Sequence, residues 1–496
     1  MRTKQIVAGV VLIAACALAG WWLLDASGQF QAGFGPLPAA VKPPNIVELT
    51  PVEQLGKNLI YDATLSDPKG YNCFTCHVPE TGGTSGLNST INLFWGPQPG
   101  VIPGRAGKRR PQTYTYVAFS PIGPFFDADF AMAYIGGTFW DGRTPDLAGQ
   151  ATMPFMDPNE MANIPTNGVF PPVFGGFSEL VVQKAIKNWG PMFDEAFYPG
   201  ILDVSSIPEI YLLICQAIGT YESSGEINQF SSKYDASKFG VPPMDLYTLT
   251  ASEERGRQLF FGKAICSTCH SSTGNPSVQF ITDGKDTFTM YCYANIGVPR
   301  NVRNPIYEET DCKANPHGCN AQGTAFVDFG LGSNPNPAPD GTRFFNTTPG
   351  DIPEFRGLFK TPTTRNVDLR PRPSFVKAYM HNGVFKTLAQ VVHFYNKRNI
   401  AVNAQGQEVA FDLATGPPPG FTRLFPRPEV LDNVQNSQGD LGNIGNLGLT
   451  NQEEADLVAF MTILSDRFTK PNPVQNPLGG KGGGKGGGKG GGKGSK

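Results

Sequence analysis

The chain carries the pattern C-x-x-C-H twice, as Cys73, Cys76 and His77 in "YNCFTCHVPE" and as Cys266, Cys269 and His270 in "AICSTCH". Two thiols at that spacing with a histidine directly after them attach a haem c through thioethers and offer an imidazole to its iron. Disulfides or redox thiols would not need that histidine. The fold must therefore build two apolar slots around fixed covalent anchors. A chain of 496 residues is too long for one small haem-binding unit and suits two, with insertions.

An internal repeat says how those units begin. "TPVEQLGKNLIY" from Thr50 and "TASEERGRQLFF" from Thr250 share Thr, Glu, Gly, a basic residue and Leu at the same places. Each opens with Thr-x-x-Glu, whose side chains satisfy the first free amides of a helix, and Pro51 suits a first turn. Each precedes its own C-x-x-C-H. Packing helices are expected near the ends of the units. One is marked by the stripe Ile210, Leu213, Ile214, Ala217, Ile218 and Tyr221, the other by Leu457, Phe460, Met461 and Leu464 behind Thr450 and Glu453. The expected fold is mainly α, with tandem cytochrome c-like domains over 46–235 and 245–470. Residues 223–249 read as a linker and 331–351 as a surface insertion.

The ends read differently from the body. Arg2 and Lys4 precede an uncharged apolar run, Ile6 to Leu24, read with residues 1–25 as a signal peptide or membrane anchor. Ala17 and Ala19 offer a cleavage site, "IAAC" ending at Cys16 resembles a lipoprotein box, and Trp21 with Trp22 suits an anchor's end. All three place the body in the periplasm or outside the cell envelope, where haem c is attached. Residues 26–45 are a Pro/Gly/Ala lead-in. Residues 471–496 form a Gly/Lys tail that can bury no core and offers a tether to membranes or anionic surfaces. Its lysines mask an acidic body, which excludes nucleic acid as the expected partner: the formal net charge of the whole chain is only -2. An exported chain tolerates disulfides, and Cys312 with Cys319 in "CKANPHGC" is the expected one, while Cys215 reads as a buried thiol.

What ligates the far side of each iron decides between carrying electrons and doing chemistry. No histidine lies between His77 and His270. A second imidazole could reach the first iron only from His317, His381 or His393, and a thioether from Met132, Met153, Met156, Met161, Met192 or Met244. The favoured reading is an open face at the first iron.

"GGTFWDGRTPDLAGQATMPFMDPNEM" (136–161), "FKTPTTRNVDL" (359–369) and "AYMHNGVFKTLAQVVHFYN" (378–396) resemble the bacterial diheme cytochrome c peroxidase and MauG family, a likeness extending over roughly residues 48–466. The resemblance implies two cytochrome c-like domains facing each other, two covalently bound haem c groups, and peroxide chemistry at the first. By the family's spacing, Trp140 lies between the haems, Gln150 lines the distal pocket and Glu160 is the acid/base, with Pro154 beside them. Alone, Glu160 after "DPN" reads as a helix-start carboxylate, and Trp140 as a core aromatic.

At the second haem the peroxidases carry a methionine fourteen residues after the histidine of H-[DN]-G, where MauG has a tyrosine; counting from His381 reaches Tyr395. Met380 and His393 are its rivals as ligand. The family's calcium site is put in doubt, because Arg109 and Arg110 in "KRRPQTY" stand where an asparagine is expected and "RPRPSFVKAY" replaces a T-x-P segment. The activity implied is reduction of hydrogen peroxide with electrons from a small c-type cytochrome or similar redox donor. The alternatives are oxidation of a partner protein or aromatic residue by stored oxidising equivalents, as in MauG, and a non-enzymatic electron carrier.

Overall fold

The computed structural model describes residues 48–466 apart from 130, 240–247, 274–281, 283 and 436–442, together with a strand pair at Leu23–Leu24 and Phe30–Gln31. Otherwise the apolar N-terminal run, its lead-in, the Gly/Lys tail and Met244 lie outside the described residues.

Thr50 starts helix α1 (Pro51–Tyr61): its amide donates to Glu53 Oε2 at 2.7 Å, and its hydroxyl accepts from the Glu53 amide. Two further helices bear on the site in the first half, α2 (Leu147–Ala151) and α3 (Glu179–Ala196). Helix α4 (Ile207–Glu222) follows and lies on α1. Leu55 and Leu59 of α1, Ile214 and Ala217 of α4, and Val181 and Ala185 of α3 form one apolar cluster. Full burial of each such Leu or Ile stabilises the fold by about 1.5–3 kcal/mol.

A second cluster belongs to the second half. Helix α5 (Lys233–Phe239) contributes Tyr234, α6 (Ala251–Phe261) Phe260, α7 (Leu388–Lys397) Val392 and Phe394, and α8 (Asn451–Thr462) Leu457 and Phe460. Thr250 and Thr450 cap α6 and α8 as Thr50 caps α1. The repeat's shared glycine has a packing reason in both halves. A Cβ on Gly56 would lie 1.9 Å from the Ala217 carbonyl oxygen of α4, and one on Gly256 would lie 1.9 Å from that of Asp456 in α8. Only glycine lets these helices approach so closely.

Strands are short. Tyr293–Ala294 pairs antiparallel with Phe359–Lys360, and Ile400–Val402 pairs with Glu408–Ala410 and Thr422–Arg423. Buried Arg365 ties the halves together, gripping Asp235 with two bonds of 2.8 Å beneath the rings of Tyr116 and Phe230. Among the described residues no helix is long and apolar enough to cross a membrane.

Two expectations need correction. Part of the 223–249 linker is helix α5, because Tyr234 has an apolar cluster to enter. The 331–351 segment is more than a surface insertion: 339–341 and 346–349 are exposed, but Leu331, Ala338 and Phe344 are buried with Tyr293 and Phe355. Its Asn336 donates to the Arg143 and Pro172 carbonyls at 2.8 and 2.9 Å, so side-chain amides stand in for regular structure.

Candidate active site

The first C-x-x-C-H forms a single helical turn, Cys73–Cys76, with His77 at its end. His77 Nδ1 lies 2.9 Å from the Gly83 carbonyl. A carbonyl only accepts, so Nδ1 carries the proton and Nε2 keeps a bare lone pair, as an iron ligand requires. The second motif repeats this with His270 Nδ1 at 3.0 Å from the Pro362 carbonyl. Burial lowers both imidazoles, His270 to about 4, which keeps them neutral.

Glu160 stands in a tight turn after α2. Its amide donates to the Asp157 carbonyl at 2.9 Å, and its own carbonyl accepts from Val101 at 2.8 Å. Burial pushes the Cys73 and Cys76 thiols upward, and the nearby Glu160 carboxyl adds to both. Burial first, and then the charge of Asp157, pushes the Glu160 carboxyl up to about 8. Gln150 is half-buried on α2, whose start is fixed by Asp146 accepting from the Gly149 amide at 2.8 Å. Pro154 lies between them in the chain, also half-buried.

Trp140 is buried at the tip of a hairpin closed by Thr138 and Thr144, and its Nε1 donates to the Arg110 carbonyl at 2.9 Å. It also lines the cavity of the second motif. That cavity is bounded by Cys266, Cys269, His270, Met380, His381 and Tyr395 as well, with apolar walls such as Phe260 and Leu457. Trp140 meets the His381 ring edge-on at 6.5 Å, and His381 stacks on Phe359 at 3.6 Å. Two of the three sequence candidates for the second iron, Tyr395 and Met380, thus face one space. His393 is placed elsewhere, 3.0 Å from Glu454.

Of the candidate methionines, Met156 and Met161 are buried in the first apolar cluster, and Met153 is buried outside it. Met132 is exposed, and the Met192 sulfur accepts from Asn58 at 3.1 Å. Sequence reasoning missed Glu222, whose carboxyl burial pushes up to about 8 and which raises Cys73. Its signal was a carboxylate ending the apolar stripe of α4. It also missed Cys292, a buried free thiol hydrogen-bonded to Cys269 and 3.3 Å from the Thr361 hydroxyl, which nothing local in the sequence marks.

A family model described as di-haem cytochrome c peroxidase matches residues 51–240. The methylamine utilization protein MauG of Paracoccus denitrificans is 30% identical over 418 residues, covering 84% of this chain and 89% of that protein. The chain belongs to the di-haem cytochrome c peroxidase family. A cytochrome c551 peroxidase of Nitrosomonas europaea is 24% identical over 376 residues, covering 74% of this chain and 81% of its own. Among solved structures, the diheme peroxidase BthA of Burkholderia thailandensis matches with a TM-score of 0.59 at 25% identity, covering 89% of this chain and 91% of that one. This di-haem peroxidase is therefore an oxidoreductase, and its family implies two haem c groups. The residues present fit them: two cysteine pairs, two imidazoles with bare Nε2 atoms, and an apolar cavity beside the second pair.

Arg109 lies between Asp328 at 2.6 Å and Asp141 at 2.5 Å, all three buried. Arg110 donates to the Met380 carbonyl at 3.0 Å, and buried Lys377 spans the Thr81, Asn366 and Leu369 carbonyls at 2.8–3.2 Å. Side-chain cations thus hold these oxygens, and among the described residues no group of three or more His, Cys, Asp or Glu is placed to hold a metal ion.

Proposed function

We propose that this di-haem peroxidase reduces hydrogen peroxide to water at the His77 site, drawing electrons from a small c-type cytochrome or similar donor. The observation that carries this reading is the Glu160 carboxyl, held beside the Cys73–Cys76 pair and raised towards neutrality. The two haems, bound through Cys73 and Cys76 with His77 and through Cys266 and Cys269 with His270, supply the redox equivalents for breaking the O–O bond. The chain's own residues handle protons and position. A carboxyl titrating near the working pH takes the proton from one peroxide oxygen and returns it to the other, and two further protons and two electrons complete two waters. Gln150 holds peroxide or water by hydrogen bonds. Trp140, buried and lining the cavity of the second motif, gives electrons a short aromatic path between the sites.

A second reading, that stored equivalents oxidise a partner protein or aromatic residue, is favoured by Tyr395. A phenolate ligand at the second iron would lower its potential and favour higher oxidation states. The apolar run Ile6–Leu24 and the haem attachment chemistry support export to the periplasm or envelope exterior.

Glu160→Gln is the test, measured by stopped-flow reaction of the holoprotein with peroxide. The step should slow at least tenfold with haem content unchanged. The wild-type rate should show an inflection near pH 8, below which the carboxyl is already protonated and cannot take the peroxide proton, and the variant should lose it. An unchanged rate and pH profile would discard Glu160 as acid/base.

A further inference from the structure

The disulfide-closed loop at Cys312–Cys319 belongs to the second half of the chain, yet it is bonded to the residue next to Glu160. Asn315, buried in that loop, donates through Nδ2 to Asn159 Oδ1 at 2.8 Å, and Asn159 Nδ2 donates back to the Gly318 carbonyl at 2.7 Å. Asn159 is thus held at both ends of its amide by one loop, by the Asn315 side chain 156 positions away and by the Gly318 backbone, so shifting Asn159 breaks both bonds. There is no slack at the contact. A Cβ on Gly318 would fall 2.6 Å from Asn159 Oδ1, and one on Gly100 would fall 2.3 Å from the Asn159 carbonyl.

A third segment completes the clasp. The 99–106 loop is closed by the pairing of Pro99 with Ala106, and its Val101 amide donates to the Glu160 carbonyl. Arg105 of the same loop reaches the Ala314 carbonyl at 2.6 Å. On the other side, the Asn159 amide donates to Asp157 Oδ1 at 2.8 Å, holding the carboxylate nearest in the chain to Glu160. The Glu160 backbone is thus pinned between two loops that are themselves joined at Ala314. The Asn315 Oδ1 is buried with no partner. The Asn315 Nδ2 also donates to Glu309 Oε1 at 3.0 Å, so its amide is held from within its own half as well.

From this geometry we infer that the Cys312–Cys319 loop is a positioning element for the proposed peroxide reaction, aiming the Glu160 carboxyl through the Asn315–Asn159 pair. The inference rests on the acid/base reading of Glu160. The disulfide keeps Asn315 and Gly318 at a fixed separation, so both ends of the clasp engage at once.

A double-mutant cycle on holoprotein tests it, with the peroxide step followed by stopped flow and the resting spectra of both haems recorded. Asn315→Ala should slow the step about fivefold and displace its pH inflection, while haem content and the second haem's spectrum stay as in the parent. On the Glu160→Gln background the same change should have no further effect, because its influence passes through that carboxyl. An equal slowing on both backgrounds, or none in the parent, would overturn the inference. If Glu160→Gln slows the step and Asn315→Ala does not, only the loop's role is lost; if Glu160→Gln has no effect, the acid/base reading and the inference fall together. Reducing and alkylating Cys312 and Cys319 in folded holoprotein gives a second route that requires no refolding. It should slow the parent and leave Glu160→Gln unchanged, and a parent rate indifferent to reduction would overturn the inference.

Discussion

In the first half α1 lies on α4 with Gly56 against Ala217; in the second α6 lies on α8 with Gly256 against Asp456. Each half opens with a Thr–Glu capping box and presents a histidine whose Nδ1 donates to a backbone carbonyl. The surroundings of the cysteine pairs then diverge. Glu160 and Glu222 stand close to Cys73, whereas Tyr395 and Met380 share a cavity with His270. The repeated parts hold a haem, and the parts that differ decide what it does. A carboxyl near neutrality suits proton traffic, while a phenol or thioether suits a ligated, electron-holding iron.

The largest effect should come from breaking the junction on which both halves depend. Arg109→Ala would leave Asp328 as an uncompensated buried charge and Asp141 with Arg143 alone, and denaturant unfolding should show a loss of about 3–5 kcal/mol. Arg109 holds both carboxyls well below their ordinary range, Asp141 at about 2. Their pairing therefore stabilises the fold above the unfolded carboxylate range and fades as pH falls towards 2. The variant's pH dependence in acid should accordingly be weaker than the parent's.

Next come the matched glycines. Gly56→Ala and Gly256→Ala each drive a Cβ into a facing backbone carbonyl, and each should cost about 1–3 kcal/mol in thermal or denaturant unfolding. Equal penalties would support one shared frame, and a tolerated Gly256→Ala would show that the second half is looser than its geometry implies. The smallest change in stability with the clearest spectral consequence is Tyr395→Phe. It should alter the ferric spectrum of the second haem alone, and an unaltered spectrum would remove Tyr395 as its ligand.

Much of the shared frame was legible in the sequence because it is local. Thr50, Thr250 and Thr450 cap their helices through residues three places on, and Cys312 reaches Cys319 across one short loop. The stripe ending at Tyr221 was readable as helix α4 from its period alone. What escaped is made by contacts distant in the chain. The burial of Leu331, Ala338 and Phe344 depends on Tyr293 and Phe355, and an irregular backbone leaves no periodicity to read. Arg109 was visible only as a departure from the family's pattern. Its partners Asp141 and Asp328 came from the fold, as did the clasp of Asn315 on Asn159. Glu160 was marked by its spacing in a family motif. Its burial, and so the reason its carboxyl is useful, came from the loops packed around it.

The claim that most needs testing is that the His77 iron keeps a coordination position for peroxide while the second iron does not. Low-temperature electron paramagnetic resonance of the fully oxidised protein addresses it directly. The account predicts one high-spin and one low-spin ferric signal, with the high-spin signal altered by added cyanide. Two low-spin signals, persisting across redox poise and indifferent to cyanide, would contradict it.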